Sequence, residues 1–224
     1  GEWVKEGANY ASVAEFIVAK LTGIVGNTEF TLKPKDVVLY GFGRIGRLAA
    51  RVLIAEAGKG EQLRLKAIVT RENSPEDILK RANLLRKDSV HGKMHGTIVD
   101  DLENSALIIN GQVVKLIYSN APGSVDFTEY GIDDALLIDN TGVWRDRAGL
   151  EKHLGSKGIS QVLLTAPGKG DIPNIVYGVN QEDFKPGQDT VYSAASCTTN
   201  AITPVLKALE DEFGIRNGHV ETVH

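Results

Sequence analysis

Residues 36–70 have the sequence DVVLYGFGRIGRLAARVLIAEAGKGEQLRLKAIVT. The segment begins with a short apolar run, which is typical of a strand buried in a parallel sheet. A glycine-rich turn over 41–46 follows, then a helical pattern that ends at Gly58, and then a second apolar run over 63–69. The order strand, turn, helix, strand predicts a βαβ unit, which is right-handed in nearly all proteins.

The glycine-rich turn has the spacing G-x-G-x-x-G and lies between a predicted strand and a predicted helix, the context that makes such a match informative. In such a turn Gly41 permits the tight bend, Gly43 lets a pyrophosphate approach the backbone, and Gly46 lets helix and strand pack closely. Free N–H groups at the helix start then bind the phosphates of a dinucleotide. The alternative is a glycine-rich turn that binds no ligand. The candidate cofactor-binding residues of the turn are Gly41, Phe42, Gly43, Arg44, Ile45 and Gly46.

The end of the second predicted strand leaves the choice of dinucleotide open. In many such units an acidic residue about 20 positions after the turn binds the ribose 2′-hydroxyl. Thr70 stands where that carboxylate is expected, and Arg71 and Glu72 follow. Arg71 could pair with the 2′-phosphate of NADP, whereas Glu72 could contact the ribose of NAD after a small register shift. Thr70 and Arg71 are candidate cofactor-binding residues, and the expected cofactor is NAD or NADP.

Beyond this unit, predicted strands continue to alternate with predicted helices. One helix is predicted over 75–86, with Ser74 as its N-cap and a proline at its first position. The turn Asn110-Gly111-Gln112 between two apolar runs indicates a hairpin. The expected fold class is α/β, with a Rossmann-type, doubly wound, mostly parallel sheet. The remaining predicted elements are strands at 135–139, 162–165 and 191–193 and helices at 147–154 and 201–213.

An amphipathic helix is predicted over residues 2–22, before the βαβ unit. Apolar residues recur there at three- and four-residue steps, and Gly23 and Gly26 end the pattern. Its charges are mixed, which favours a helix docked on its own domain or a neighbouring subunit over a membrane-surface helix. Because the first residue is Gly1, we expect a chain that was processed or that does not begin where translation began.

Composition disfavours several classes of protein. The 224 residues include 25 Lys+Arg and 29 Asp+Glu, and the net charge of −4 argues against a nucleic-acid partner. The sequence contains no apolar run of the roughly 18 residues that a membrane span needs, so no membrane partner is expected. A single cysteine excludes an intrachain disulfide and a metal site built from several cysteines. A lone thiol fits a cytoplasmic location, and we expect no metal.

The lone cysteine, Cys197, lies in the segment AASCTTN, between a predicted strand and the predicted helix over 201–213. A helix N-terminus stabilises a thiolate, and the neighbouring Ser and Thr hydroxyls could hold an anionic substrate group. These features favour a nucleophile over a buried structural thiol. His224 ends an alternating segment, 219–224, that predicts a strand, and it could be the base that activates Cys197.

Together, these motifs resemble those of the phosphorylating glyceraldehyde-3-phosphate dehydrogenase family. The combination of GFGRIGR with SCTTN is highly specific and counts against another cysteine-dependent semialdehyde dehydrogenase. The resemblance covers about residues 36–224. Its segments are VVLYGFGRIGRL (37–48), DSVHGKMHGT (88–97), DNTGVW (139–144), VLLTAPGKG (162–170), VYGVN (176–180) and SAASCTTNAITPVLKALEDEFGI (193–215).

The resemblance implies oxidation of glyceraldehyde 3-phosphate with inorganic phosphate and NAD(P) to 1,3-bisphosphoglycerate, with erythrose 4-phosphate as a close alternative substrate. It makes Cys197 the nucleophile, through a thiohemiacetal and a thioester, and His224 the residue that takes the thiol proton. Ser196 and Thr198 match residues that help hold the attacking phosphate. The residues that match positions along the bound cofactor are Arg44 and Ile45 at the pyrophosphate, and Ser119, Thr141, Gly142 and Thr165 along the adenosine and nicotinamide.

The resemblance also implies a domain organisation: an N-terminal helical extension and linker over 1–35, a dinucleotide-binding domain over 36–196, and the beginning of an α+β catalytic domain over 197–224. Family chains continue well beyond the matching histidine, so we expect an N-terminal piece of a longer protein, partnered by its missing C-terminal part in a homotetramer. The ribose-binding residue of the family is commonly Asp, from which Thr70 departs. A second hypothesis is a non-catalytic cofactor-binding fragment or regulatory subunit that acts through assembly.

Overall fold

The computed structural model describes residues 9–22, 34–57, 63–72, 74–185 and 187–223. The chain separates into two compact units, residues 1–33 and residues 34–224. In the first unit, helix α1 covers Val13–Lys20, and the Ser12 hydroxyl caps it by accepting a hydrogen bond from the Glu15 amide. The helix is shorter than the predicted 2–22, since residues 9–12 form turns and bends before it; residues 2–8 lie outside the described ranges.

An eight-stranded sheet organises the second unit. Its strands are β1 (Lys35–Tyr40), β2 (Leu63–Thr70), β5 (Ile98–Asp101), β6 (Ala106–Ile109), β7 (Gln112–Tyr118), β8 (Ala135–Asp139), β9 (Ile159–Leu164) and β10 (Val191–Ser193), while β3 (Lys87–Asp88) and β4 (Gly92–Lys93) form a separate pair. The spatial order is β10-β9-β8-β1-β2-β7-β6-β5. The pairs β5–β6 and β6–β7 are antiparallel, and the other pairs of this sheet are parallel. The predicted Rossmann-type, mostly parallel sheet is therefore confirmed.

Four further α-helices in the described part of this unit connect the strands. They are α2 (Arg44–Glu56), α3 (Pro75–Arg86), α4 (Arg147–Leu150), which continues as a 3₁₀ turn over Glu151–Gly155, and α5 (Cys197–Phe213). The predicted cap of α3 is confirmed, because the Ser74 hydroxyl accepts a hydrogen bond from the Asp77 amide. Helix α5 begins four residues before the predicted start, so Pro204 lies inside it rather than in its first turn.

The central strand β1 shows why the sheet has helices on both faces. Every residue from 36 to 40 is buried, and alternate side chains point to opposite faces. Val37 and Leu39 join the apolar core that α2 and α3 cover, whereas Val38 and Tyr40 join a second core on the opposite face. A strand buried on both faces carries a continuous apolar run, as the sequence pattern indicated.

Two predictions outside the βαβ unit have different outcomes. The hairpin is confirmed, since β6 and β7 are joined at Asn110 and Gly111, whose φ angles of 48° and 84° suit a type I′ turn. The strand predicted over 219–224 is wrong for residues 219–223, which are exposed and pair with no other described strand; His224 lies outside the described ranges. None of the helices in the described ranges has the length and apolar character needed to cross a membrane.

Gly46 provides a test of the packing between α2 and the turn after β1. A Cβ on Gly46 would stand 2.3 Å from the Gly41 carbonyl oxygen, well inside van der Waals contact. Gly46→Ala is expected to lower the free energy of unfolding by about 1–3 kcal/mol, because the helix must shift away from the turn. Urea denaturation measures this loss.

Gly43→Ala is the matched control in the same turn. A Cβ on Gly43 would meet nothing within 4 Å, and its φ of −72° is an ordinary value. This variant should unfold at nearly the wild-type urea concentration. Equal losses in the two variants, or no loss in Gly46→Ala, would contradict the close approach of helix and turn.

Candidate functional site: a cleft at the strand ends and a cysteine at a helix start

A cleft opens at the carboxyl ends of the parallel strands, where the strand order changes direction between β1 and β8. In open α/β sheets, ligands bind at such switch points. The cleft has a volume of about 310 Å³, within the range of small-molecule sites. Its described lining residues are Tyr40, Gly41, Phe42, Gly43, Val69, Thr70, Arg71, Arg81, Ser119, Asn120, Asn140, Thr141, Val143 and Trp144.

The glycine-rich turn forms one wall of the cleft. Gly41 has a φ of +90°, a conformation that glycine adopts at little cost. Gly43 precedes α2, and no side chain caps this helix start, so the amides of Arg44 and Ile45 are available to a ligand. The open space beside Gly43 would admit a phosphate against these amides. The residues present therefore fit the pyrophosphate of a dinucleotide.

The Arg44 side chain lies against a loop instead of lining the cleft. Its guanidinium donates a hydrogen bond to the Ser89 hydroxyl at 3.2 Å and lies 3.7 Å from the buried Asp88 carboxylate, which Arg47 also approaches. Hydrogen bonds from the His91 amide and then from other groups of this loop hold the pKa of Asp88 well below its usual range. The Arg44 guanidinium is therefore engaged with this loop, and the group that Arg44 offers a ligand at the glycine-rich turn is its backbone amide.

The end of β2 brings Thr70 and Arg71 to the cleft. The Thr70 hydroxyl donates to the Glu72 carbonyl oxygen, so it is engaged within its own turn. Arg71 is exposed and lines the cleft, whereas Glu72 does not. The two interpretations of this position therefore differ in the structure, because Arg71 and not Glu72 lines the cleft. Ser119, at the end of neighbouring β7, lies beside Thr70, to whose carbonyl oxygen its amide donates at 3.0 Å.

A buried pair holds the loop after β8, which forms another wall. Asp139 and His153 are both fully buried, with 3.0 Å between His153 Nε2 and Asp139 Oδ2. The other Asp139 oxygen accepts hydrogen bonds from the amide and the hydroxyl of Thr141, each at 2.7 Å. Within the described ranges, His153 Nδ1 has no hydrogen-bond partner. Asp139 thus fixes Thr141 at the cleft, and His153 supports Asp139 from behind.

Three rings pack edge-on beneath this wall. Ring centroids are 4.6 Å apart for Tyr40 and His153, 5.6 Å for Trp144 and His153, and 5.9 Å for Tyr40 and Trp144. Burial raises the pKa of the Tyr40 hydroxyl, against the opposing effect of a hydrogen bond with Ser119. The sequence reasoning did not single out Tyr40 or Trp144. Trp144 ends the motif DNTGVW, which could have indicated it.

The structure gathers seven of the candidate cofactor-binding residues at the cleft and leaves five off its wall. Among the latter, Thr165 lies behind the loop after β8, where its hydroxyl donates to the Asp139 carbonyl oxygen at 3.0 Å. The residues at the wall are Gly41, Phe42, Gly43, Thr70, Arg71, Ser119 and Thr141; those off it are Arg44, Ile45, Gly46, Gly142 and Thr165.

Cys197 is exposed as the first residue of α5, directly after the turn that follows β10. Ala195 in this turn has a φ of +59°, a left-handed conformation that a non-glycine residue adopts only at a cost. The Ser196 hydroxyl caps α5 by accepting from the Thr199 amide at 3.0 Å, and Asn200 Nδ2 donates to the Ser196 carbonyl oxygen at 2.9 Å. A braced turn therefore holds the thiol at a helix N-terminus, a setting that favours a thiolate.

The cysteine segment and the cleft are separate in the described structure. Ser196, Cys197 and Thr198 lie together at the start of α5 and do not line the cleft. His224, the predicted base, lies outside the described ranges, so its pairing with Cys197 stays a prediction.

Comparison with known proteins assigns both parts of this arrangement to one family. The family model "Glyceraldehyde 3-phosphate dehydrogenase, NAD binding domain" matches residues 35–147, and the model of the C-terminal domain of the same family matches residues 196–224.

Curated relatives carry names of the same family. The chain is 55% identical over 98% of its length to a glyceraldehyde-3-phosphate dehydrogenase-like protein of Pseudomonas aeruginosa, covering 48% of that protein. It is 40% identical over 84% of its length to the glyceraldehyde-3-phosphate dehydrogenase of Thermotoga maritima, covering 53% of it. It is 39% identical over 88% of its length to the chloroplastic glyceraldehyde-3-phosphate dehydrogenase A of Zea mays, covering 46% of that protein. The chain thus spans about half the length of these relatives.

The Asp139–His153 pair can be tested by removing one partner. Asp139→Ala leaves His153 buried without its partner and frees Thr141, so the free energy of unfolding should fall by about 3–5 kcal/mol. Urea denaturation followed by circular dichroism measures the loss.

Asp171→Ala is the control for removing an aspartate from an ion pair. Asp171 pairs with Arg147, but its side chain is 70% exposed, and exposed ion pairs contribute little to stability. This variant should unfold close to wild type. If the two variants lose the same stability, Asp139 does not have the structural role inferred from its geometry.

Proposed function

The chain belongs to the glyceraldehyde-3-phosphate dehydrogenase family, and on that basis we propose that it supplies the dinucleotide site and the nucleophile for oxidation of glyceraldehyde 3-phosphate. The aldehyde becomes the acyl phosphate of 1,3-bisphosphoglycerate, with inorganic phosphate as co-substrate and NAD or NADP as oxidant. The observation that carries the proposal is the exposed Cys197 at the start of α5, one short turn after β10, a strand of the sheet whose other strand ends form the cleft.

The cofactor is held along the ends of the parallel strands. The amides of Arg44 and Ile45 bind its pyrophosphate, since they lie uncapped at the start of α2. Arg71 and Ser119, at the ends of neighbouring strands, lie along the adenosine side. The residues assigned to the nicotinamide side are Thr141, Gly142 and Thr165, on and behind the loop after β8.

Cys197 performs the covalent chemistry. Its thiolate attacks the aldehyde carbon and forms a thiohemiacetal, while His224 takes the thiol proton and the Cys197 amide stabilises the developing oxyanion. When bound, NAD or NADP would supply the acceptor for the hydride that the thiohemiacetal carbon loses. A thioester remains on Cys197, and inorganic phosphate held by the Ser196 and Thr198 hydroxyls displaces the thiolate to release the acyl phosphate.

We propose the same division of the chain into domains that the sequence motifs imply. Residues 36–196 form the dinucleotide-binding domain, 197–224 begin the catalytic domain, and 1–35 are an N-terminal extension and linker. We further propose that the protein acts in the cytoplasm as a homotetramer.

Cys197→Ser tests the proposed nucleophile. The activity, followed as the absorbance of the reduced nicotinamide with glyceraldehyde 3-phosphate, phosphate and either dinucleotide, should fall at least roughly a thousandfold, because a serine hydroxyl is a much weaker nucleophile. Dinucleotide binding, measured separately by calorimetry, should be unchanged, since Cys197 does not line the cleft.

Each result of this assay separates one hypothesis from another. Activity that survives in Cys197→Ser would overturn the nucleophile assignment. A wild-type protein that binds the dinucleotide but oxidises neither glyceraldehyde 3-phosphate nor erythrose 4-phosphate would support a non-catalytic cofactor-binding or assembly role. Faster turnover of erythrose 4-phosphate would reassign the substrate and keep the mechanism.

A further inference from the structure

Two arginine residues line the cleft near the carboxyl end of β2. Arg71 directly follows the strand, and Arg81 reaches the same cleft from α3. Among the described residues that line the cleft, none is Asp or Glu. The wall that borders the ribose in folds of this type is therefore positively charged, with no described carboxylate to accept a ribose hydroxyl.

Arg81 is held in place by a buried carboxylate. Its Nε donates to Asp77, one turn earlier on α3, and the Asp77 side chain is only 7% exposed. Ser74 caps the same turn through the Asp77 amide, so the carboxylate sits on a fixed piece of backbone. The two terminal nitrogens of Arg81 have no partner among the residues that the structure describes, which leaves them free to donate to a ligand.

Arg71 carries a second charge, and it has no partner among the residues that the structure describes. No residue in the described ranges forms an ion pair or hydrogen bond with its guanidinium. It lies close enough to Tyr40 for its charge to act on that hydroxyl, whose pKa is set mainly by burial, and Tyr40 lines the cleft beside Gly41. Arg71 and Arg81 thus bring charge and several N–H donors to the same cleft, while Asp77 offsets only part of that charge.

A phosphate monoester matches this arrangement. Paired guanidinium groups bind phosphate oxygens through charge-assisted, often bidentate hydrogen bonds. The ribose of a dinucleotide lies at the end of the second strand, where an arginine accommodates a 2′-phosphate. We propose that Arg71 and Arg81 form a binding site for the 2′-phosphate of NADP, so that the protein binds NADP in preference to NAD. This inference rests on the proposed dinucleotide-binding function.

Calorimetric titration with NADP and with NAD tests the site. Wild type should bind NADP about ten- to a hundredfold more tightly than NAD, as expected for hydrogen bonds to a charged group. Arg71→Ala should lower that ratio about tenfold or more while the affinity for NAD changes less than about twofold. Because Arg71 is exposed, this variant should fold normally, and added salt should also reduce the wild-type ratio.

Three further variants sharpen the result. Arg71→Asp places a carboxylate at the ribose and should reverse the preference toward NAD. Arg81→Gln should act like Arg71→Ala, with its melting temperature recorded because Asp77 loses its partner. Lys80→Ala is the matched control: it removes an exposed cation next to Arg81 that does not line the cleft, and should leave the ratio unchanged.

The outcomes distinguish this inference from the function on which it rests. Binding of both dinucleotides with equal affinity, or a ratio that Arg71→Ala leaves unchanged, would overturn the 2′-phosphate site and leave the proposed function intact. Failure to bind either dinucleotide would overturn both.

Discussion

The position of the cleft depends on the close contact between the start of α2 and the turn after β1. With no side chain at position 46, the helix comes so near the Gly41 carbonyl oxygen that a Cβ would lie 2.3 Å from it. The helix start therefore sits at the carboxyl end of β1, next to the cleft that Gly41 and Gly43 line, and no side chain caps its first amides. Because β2, β7 and β8 run parallel to β1, their carboxyl ends open on the same space, and each adds side chains to it.

The loop after β8, which forms another wall of the cleft, is held by a buried carboxylate. Asp139 ends β8 with its carboxylate inside the protein, where it accepts from Thr141 on one oxygen and contacts His153 with the other. A buried carboxylate is stable only when its oxygens are satisfied, so these contacts restrict the loop after β8 to one arrangement. The glycine turn and this loop thus lie side by side at the cleft, where the Asn140 side-chain amide donates to the Gly41 carbonyl oxygen at 3.5 Å.

The sequence was sufficient for features that follow from local spacing. The βαβ unit, the N-cap at Ser74, the Asn110-Gly111 hairpin and the exposed cysteine at a helix start each depend on residues close together in the chain. Features that depend on distant segments could not be derived in the same way. Asp139 and His153 are 14 positions apart, and Arg81 reaches the cleft from a separate helix, so neither follows a periodic pattern.

The wrong strand prediction and the position of the Arg44 side chain both depend on parts of the chain that are distant in sequence. The alternating residues 219–223 match a strand pattern, but a strand also needs a neighbour for its backbone hydrogen bonds, and the described structure offers them none. The Arg44 side chain could not be placed from the glycine motif alone, because a buried carboxylate about 40 positions later, Asp88, attracts it.

On the proposed function, the uncapped amides at the start of α2 bind the pyrophosphate of a dinucleotide. Amide chemical shifts measured by NMR during titration with NADP test it most directly. The amides of Arg44 and Ile45 should shift and reach saturation, while those at the Ser74-capped start of α3 should shift much less. A saturable titration in which the amides of Arg44 and Ile45 do not move would contradict it.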